Sequence, residues 1–195
     1  MRHFILLCVL AAFSITAAAA PRKPITSFKK LGKNETVIVG RVELVPPLGE
    51  HGQRLRGIMS GKFENKMFMM AEPEYRELLE EPGMGDFKGR IDATFGEEFF
   101  VKSSRESFYL IAGMMYLQMG YNTMPDLAYF PGGYKVNIRP DDKAVYIGTL
   151  RYHRNEFFEV TRIEVIDEYQ RVKAEFVHQF GTQHELRKTL MTSVE

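Results

Sequence analysis

The sequence predicts a mainly β protein, an antiparallel β-sandwich with a short inserted helix and a C-terminal amphipathic helix. Short runs of β-branched and aromatic residues recur along the chain between glycine and proline clusters, which is typical of strands joined by turns. The stretch Pro131–Leu150 has two such runs around an Arg-Pro-Asp-Asp reversal and predicts a β-hairpin. Only after Asp167 do the apolar residues fall at spacings of three and four, as they do in a helix.

The first 19 residues predict a signal peptide, and therefore export to the periplasm or cell envelope. An apolar run from Phe4 to Ile15 is too short to span a bilayer, and small residues follow it. Ala17 and Ala19 form the small-x-small pattern that places the cleavage after Ala19. Lipidation of Cys8 is the alternative, although Leu7 precedes it where a lipidation signal requires a small residue.

Charge and cysteine content exclude several classes of function. Without Arg2 the chain has 25 basic residues, which match its 25 acidic ones, so neither nucleic acid nor an anionic membrane surface is an expected partner. The single cysteine precedes the predicted cleavage point, so the mature chain would have no disulfide and no thiolate site. No second long apolar run follows, and we predict no transmembrane segment in the mature chain and no cofactor.

The length of the mature chain predicts one domain over residues 36–195, preceded by a flexible basic lead over residues 20–35. Alternating or continuous apolar runs predict its strands. The predicted strands outside the hairpin are Thr36–Val45, Lys62–Met70, the strand-turn-strand segment Arg90–Lys102, Phe108–Tyr121 with Gly113 as a break or bend, and Phe157–Ile166.

Three segments have the features of helices. Glu72–Pro82 predicts the short inserted helix, because Pro73 suits a first helical turn and Pro82 ends it. Asp167–Gly181 predicts the amphipathic helix, with the glycine at its C-terminal end. Thr182–Leu190 predicts a second short helix with two leucines facing inward. The apolar positions of the amphipathic helix are Tyr169, Val172, Phe176 and Phe180.

Three short motifs resemble those of a known group of β-sandwich domains. Gly40-Arg41-Val42 in the first strand matches a Gly-x-Val motif, Asp92–Phe99 approximates an Asp-x-x-Gly-x-Phe turn with two extra residues, and Pro131–Tyr134 approximates a Pro-Gly-x-Tyr hairpin with one. In these motifs the chain is similar to carboxypeptidase-regulatory and transthyretin-like domains. The resemblance implies an immunoglobulin- or transthyretin-like sandwich that serves as a noncatalytic accessory or binding module.

These features favour a noncatalytic envelope module that binds a protein partner or an apolar ligand. Aromatic and methionine side chains form adaptable contact surfaces, and they are densest around the strand predicted before the hairpin. The residues predicted to contact the partner or ligand are Tyr109, Met114, Met115, Tyr116, Met119 and Tyr121.

Two other functions are compatible with the sequence. Met67, Met69 and Met70 offer thioether groups, which are soft ligands for Cu(I), so a methionine-rich periplasmic copper-binding protein is one alternative. A hydrolase of envelope glycans is the other, and would use carboxylates such as Asp92 and Glu97. It requires two acids facing each other at roughly 5 to 9 Å.

Overall fold

The computed structural model describes residues 20–49, 63–78, 86–118 and 126–194, and the elements below are those of this part of the chain. The predicted signal peptide and the predicted cleavage site after Ala19 lie outside it. The strands are β1 (Ala20–Pro21), β2 (Glu35–Val45), β3 (Lys66–Glu72), β4 (Gly89–Thr94), β5 (Glu98–Ser104), β6 (Phe108–Leu117), β7 (Asp126–Val136), β8 (Ala144–Arg154), β9 (Val160–Ile166), β10 (Arg187–Lys188) and β11 (Thr192–Ser193). A 3₁₀ helix covers Phe28–Lys30, and the α-helix α1 covers Tyr169–Phe180.

The strands form two sheets packed face to face, which confirms the predicted mainly β sandwich. Sheet A has the order β1-β4-β3-β6-β7-β11. Sheet B has the order β10-β8-β2-β5, with β9 also paired to β8. The main core lies between them, where Met69 and Leu110 of sheet A meet a layer that includes Ile38 and Ile147 of sheet B. All four side chains are at most 2% exposed.

Tyr152 joins the two sheets through the middle of this core. Its side chain is 1% exposed, its ring centre lies 5.2 Å from that of Phe130, and its hydroxyl donates a 2.9 Å hydrogen bond to the carbonyl oxygen of Pro131. Burial raises the pKa of Tyr152, so the hydroxyl keeps its proton and remains a donor. The bond gives the buried Tyr152 hydroxyl a hydrogen-bond partner.

The centre of sheet B is parallel, unlike the antiparallel pairing that the sequence predicted. β2 and β8 run in the same direction from Val37 beside Ala144 to Val45 beside His153. β8 therefore belongs to sheet B, whereas β7 pairs with β6 in sheet A. The predicted hairpin Pro131–Leu150 is thus wrong, because its two strands exist but cross from one sheet to the other.

The reversal at Arg139–Asp142 does form, and it makes this crossing. The amide of Asp142 donates to the carbonyl oxygen of Arg139, and the Asp142 carboxylate accepts the amide of Arg139 at 2.6 Å. Local turn chemistry sets the reversal but does not determine which neighbour the returning strand will pair with.

Helix α1 confirms the predicted amphipathic helix, and it covers part of the outer face of sheet B. Val172, Phe176 and Phe180 are buried against Val37 and Val39 of β2. The strand is therefore apolar on both faces in its first half, as expected for a strand covered on both sides.

The other two predicted helices are not found in the described residues. Residues 73–78 are bent or irregular, and the remainder of Glu72–Pro82 lies outside the described part of the chain. Thr182–Leu190 contains β10, which pairs in parallel with β8. Leu186 is nevertheless buried, as the sequence predicted, because the extended chain also turns it toward α1.

Residues 20–35, predicted as a flexible lead, are packed against the sandwich. β1 pairs with β4 at the edge of sheet A. Just after β1, the amide of Lys102 donates to the carbonyl oxygen of Lys23, and the amide of Ile25 donates to that of Phe100, at the edge of sheet B. This N-terminal strap, residues 20–25, therefore bridges the two sheets, and Ile25 is 3% exposed.

A C-terminal strap, residues 187–194, bridges the two sheets on the opposite side. β10 lies beside β8 in sheet B, and β11 lies beside β7 in sheet A. Between them Met191, 5% exposed, donates its amide to Ile147 and turns its side chain into the main core.

We predict that Asp142→Asn destabilises the fold by about 2 to 3 kcal/mol near neutral pH, because it breaks a bidentate pair with Arg187 of the C-terminal strap. Burial by itself would raise the pKa of Asp142, but Arg187 and the amide of Arg139 outweigh it and hold that pKa below its ordinary value. The ionised Asp142 carboxylate therefore stabilises the fold fully above the pKa that Asp142 has in the unfolded chain, near 4. This stabilisation is lost as the pH falls through the lower pKa of Asp142 in the folded protein. Urea unfolding at neutral and acid pH measures this.

The matched control is Asp141→Asn, because Asp141 is the exposed neighbour in the same turn. Its free energy of unfolding should change by no more than about 0.5 kcal/mol. The assigned role of this ion pair would be contradicted if both variants lost the same free energy of unfolding. It would also be contradicted if the loss caused by Asp142→Asn were as large at acid pH as at neutral pH.

We predict that Gly132→Ala destabilises the fold by about 3 kcal/mol or more. A Cβ atom at Gly132 would lie 2.1 Å from both the carbonyl carbon and the carbonyl oxygen of Ile111, and backbone atoms cannot move aside as a flexible side chain can. At Gly49 a Cβ would meet no atom within 4 Å, so Gly49→Ala is the control with little expected loss. Thermal or urea unfolding of the two variants compares them directly.

Candidate binding surfaces

The outer face of sheet A is covered with aromatic and methionine side chains, and we call it the outer aromatic face. It has a buried layer next to the sheet and a half-buried layer above it. The two layers form a separate hydrophobic cluster, whose outer layer is partly exposed to solvent. The buried layer consists of Phe68, Met70, Phe87, Ile111, Ala112 and Met114. The half-buried layer consists of Phe63, Leu78, Tyr109, Tyr116, Leu127 and Tyr129.

A β-bulge in β6 brings its key side chains to this face. Strand residues alternate between faces, so Tyr109 and Met114 would point in opposite directions in a regular strand. The pairing of β3 with β6 shifts between Met70 and Ala71, which lie beside Ala112 and Leu110, so Ile111 is an extra residue in β6 and the alternation reverses. Gly132 allows the close backbone approach at this point.

Ring contacts organise the upper layer. Tyr116 lies 5.2 Å from Phe63 and 6.1 Å from Phe68, measured between ring centres. Tyr75 lies 5.9 Å from Tyr109 and is itself 44% exposed. These separations are typical of tilted and edge-to-face aromatic pairs, so the layer is both held in place and open to solvent.

The structure brings together three of the six residues predicted to bind a partner or ligand. Tyr109, Met114 and Tyr116 belong to the outer aromatic face, with Met114 fully buried beneath the two half-buried tyrosines. Met115 points the other way and is 1% exposed in the main core. Met119 and Tyr121 lie outside the described residues.

The three methionines proposed as copper ligands lie on both faces of β3. Met67 and Met69 share the inner face, as the sequence predicted, and both are at most 1% exposed. Met70 faces outward into the buried layer of the outer aromatic face. The Met67 sulfur packs over Gly113, which stays within the continuous strand β6 and neither divides nor ends it.

The two carboxylates proposed for hydrolysis are in different surroundings. Asp92 accepts a 2.7 Å hydrogen bond from Arg90 on β4 and is 31% exposed at its side chain. Glu97 is exposed in the turn between β4 and β5. Among the described residues, no group of three or more His, Cys, Asp or Glu side chains could hold a metal ion.

The part of sheet B beyond α1 is covered with alternating charges. Arg151 pairs with Glu43 at 2.8 Å, and this contact raises the pKa of Arg151. Arg171 of α1 binds both Glu98 and Glu168, which raises the pKa of Arg171. Cations and anions neutralise one another here, so this face is a solvated ion-pair network rather than a patch of one charge.

A cleft of about 390 Å³ opens where several strands of both sheets end, and we call it the end cleft. β3 and β5 end there and β6 begins there, and the N-terminal strap crosses above. Charged groups of both signs line it. The basic residues are Arg22, Lys88 and Lys102, and the acidic residues are Glu35, Glu72 and Glu106. Lys102 and Glu35 pair with each other at 2.9 Å.

Arg22 is the distinctive side chain of the end cleft. Its guanidinium carbon lies 3.8 Å from the centre of the Phe108 ring, and its Nη1 atom is buried with no hydrogen-bond partner in the part of the chain that the structure describes. The sequence grouped Arg22 with the neighbouring lysines as a solvated basic lead. No local pattern distinguishes it, because its burial comes from the strap crossing between two sheets that are distant in sequence.

Within the described ranges no helix is long and apolar enough to cross a membrane. No protein-family model matches the chain, and no curated protein or solved structure shows significant similarity to it. The geometry of these surfaces is therefore the basis for the functional argument.

Proposed function

We propose that this protein is an exported, noncatalytic module of the cell envelope, and that its outer aromatic face binds a protein partner. The single observation that carries the proposal is the layer of half-buried tyrosines, Tyr109 and Tyr116, above a floor that contains Met70 and Met114. Tyrosine and methionine are enriched at protein interfaces and depleted on ordinary surfaces.

A protein partner suits this face better than a small apolar ligand. Tyr75 stands 44% exposed beside Tyr109, and Lys135 lies 5.8 Å from the Tyr109 ring, so cationic and aromatic groups surround the apolar centre. An apolar centre with a polar rim is the usual anatomy of a protein interface. Buried methionines beneath it can adapt to the shape of the partner.

Export follows from the predicted signal peptide and is compatible with the fold. Cleavage after Ala19 would retain Ala20, the first residue of β1, which pairs with Gly89 at the edge of sheet A. The processed chain would thus keep the complete N-terminal strap.

The processed protein should begin at Ala20 when it is purified from the envelope of its native host. Intact-mass measurement and N-terminal sequencing test this, because cleavage, retention of residues 1–19 and lipidation of Cys8 give different masses. Retention of the leader or a lipidated cysteine would contradict the proposed processing.

The partner surface is tested by photo-crosslinking in the native host. We expect a photoreactive amino acid at Tyr75 to give one discrete protein adduct, because that side chain stands exposed at the outer aromatic face. The same group at Phe157, which is 74% exposed in the turn between β8 and β9, is the matched control and should give none. Adding Tyr116→Ser should reduce the Tyr75 adduct by about tenfold, since truncated interface aromatics typically cost more than 1 kcal/mol.

Folding of the Tyr116→Ser variant is checked by circular dichroism before its adduct is compared. Equal adducts at Tyr75 and Phe157, or no protein adduct at Tyr75, would overturn the proposal. An adduct with lipid alone would replace the protein partner by an apolar ligand.

A further inference from the structure

We propose that the end cleft binds a small zwitterionic ligand, an amino acid or the terminus of a short peptide, and that Arg22 receives the ligand's carboxylate. This site is separate from the outer aromatic face and does not depend on the function proposed for that face. Its volume of about 390 Å³ lies in the lower part of the range for small-molecule sites, roughly 300 to 1,000 Å³.

The fold holds Arg22 in position without giving it a counter-ion. Its amide donates to the carbonyl oxygen of Arg90 in sheet A, and the next residue, Lys23, accepts from Lys102 in sheet B. The side chain therefore lies at the crossing between the sheets, where Phe108 supports one side of the guanidinium group. The hydrogen bonds of Arg22 to sheet A and of Lys23 to sheet B fix the backbone here and so limit how far the guanidinium group can move.

The guanidinium group of Arg22 is incompletely satisfied. Its Nη1 atom is buried and has no hydrogen-bond partner among the described residues, which is costly for a charged group and rare in folded proteins. Burial lowers the pKa of Arg22 to about 10, and no neighbouring carboxylate counteracts this shift. The group remains a cation at neutral pH, so it contributes a positive potential to the cleft that an anionic group would neutralise.

The geometry favours a carboxylate at this cation. Because Phe108 occupies one face of the guanidinium group, a ligand approaches best in its plane. In-plane approach allows the paired N–H···O bonds that arginine makes with a carboxylate.

The remaining charges favour a zwitterion over a simple anion. Glu35 pairs with Lys102, and Glu72 lies 3.8 Å from Arg76, but Glu72 and Glu106 both line the cleft together with Arg22 and Lys88. Glu72 is 7% exposed and already accepts the amide of Lys88 at 3.0 Å, so it is fixed in place. A multiply charged anion such as phosphate would be repelled by these acids, whereas the ammonium group of an amino acid would be attracted.

The test is a titration of the ¹⁵N-labelled protein followed by NMR, with glycylglycine, its C-terminal amide, acetate and inorganic phosphate as probes. We expect glycylglycine to shift the amides of Gly89, Ser104 and Phe108, which line the cleft, in a saturable way. Amidation of its carboxylate should weaken binding by about tenfold or more, the effect of losing a charge-assisted hydrogen bond. Acetate and phosphate should both bind more weakly than glycylglycine.

Arg22→Gln should weaken glycylglycine binding by about tenfold or more, because it removes the charge and keeps a polar side chain. The matched control is Arg162→Gln, since Arg162 is 62% exposed at its side chain on β9 and does not line the cleft. Its affinity for glycylglycine should be unchanged. If Arg22→Gln does not fold, the comparison of glycylglycine with its amide on the unmodified protein still decides the role of the carboxylate.

Three results would overturn the proposal: no saturable shift with glycylglycine, equal affinity for glycylglycine and its amide, or phosphate binding as tight as glycylglycine. The affinities for free glycine and for glycylglycine are then compared, to decide whether the ligand is an amino acid or a peptide terminus. Tighter binding of the dipeptide supports a peptide, and equal or tighter binding of glycine supports a free amino acid.

Discussion

Backbone hydrogen bonds from the two terminal segments hold the sheets together at both open sides of the sandwich. The N-terminal strap bonds to β4 of sheet A and then to β5 of sheet B. The C-terminal strap bonds to β8 of sheet B and then to β7 of sheet A. Open strand edges favour pairing with other chains, so these straps both complete the core and protect its edges. The other features of the molecule depend on this closure.

Parallel pairing of β2 with β8 gives the two outer faces different characters. Because β7 and β8 lie in different sheets, the chain leaves sheet A at Arg139–Asp142 and enters the middle of sheet B. Helix α1 then returns across sheet B and buries the apolar outer side of β2. The described part of the chain has no second helix to do the same for sheet A, whose outer side carries half-buried tyrosines.

The two proposed binding sites follow from separate consequences of this architecture. The outer aromatic face arises from the bulge at Ile111, which reverses the alternation of β6 and places Tyr109 and Met114 on one side. The end cleft arises from the N-terminal strap, which crosses between sheets and leaves Arg22 over Phe108. One site is apolar with an aromatic rim and the other is balanced in charge, so they suit ligands of different chemistry and can be tested independently.

The sequence by itself determined the elements whose cause is local. Apolar periodicity located β2 and α1, Gly181 ends the helix, and the Arg139–Asp142 reversal forms as its turn residues require. Only the tertiary structure decided how those elements pair. Within Thr182–Leu190 the short strand β10 formed because the edge of β8 offers backbone partners, and Pro131–Leu150 divided between sheets because β2 and β6 are its neighbours. The burial of Arg22 was likewise decided by contacts between distant segments, since a charged side chain in a short basic stretch has the same local pattern whether it is solvated or enclosed.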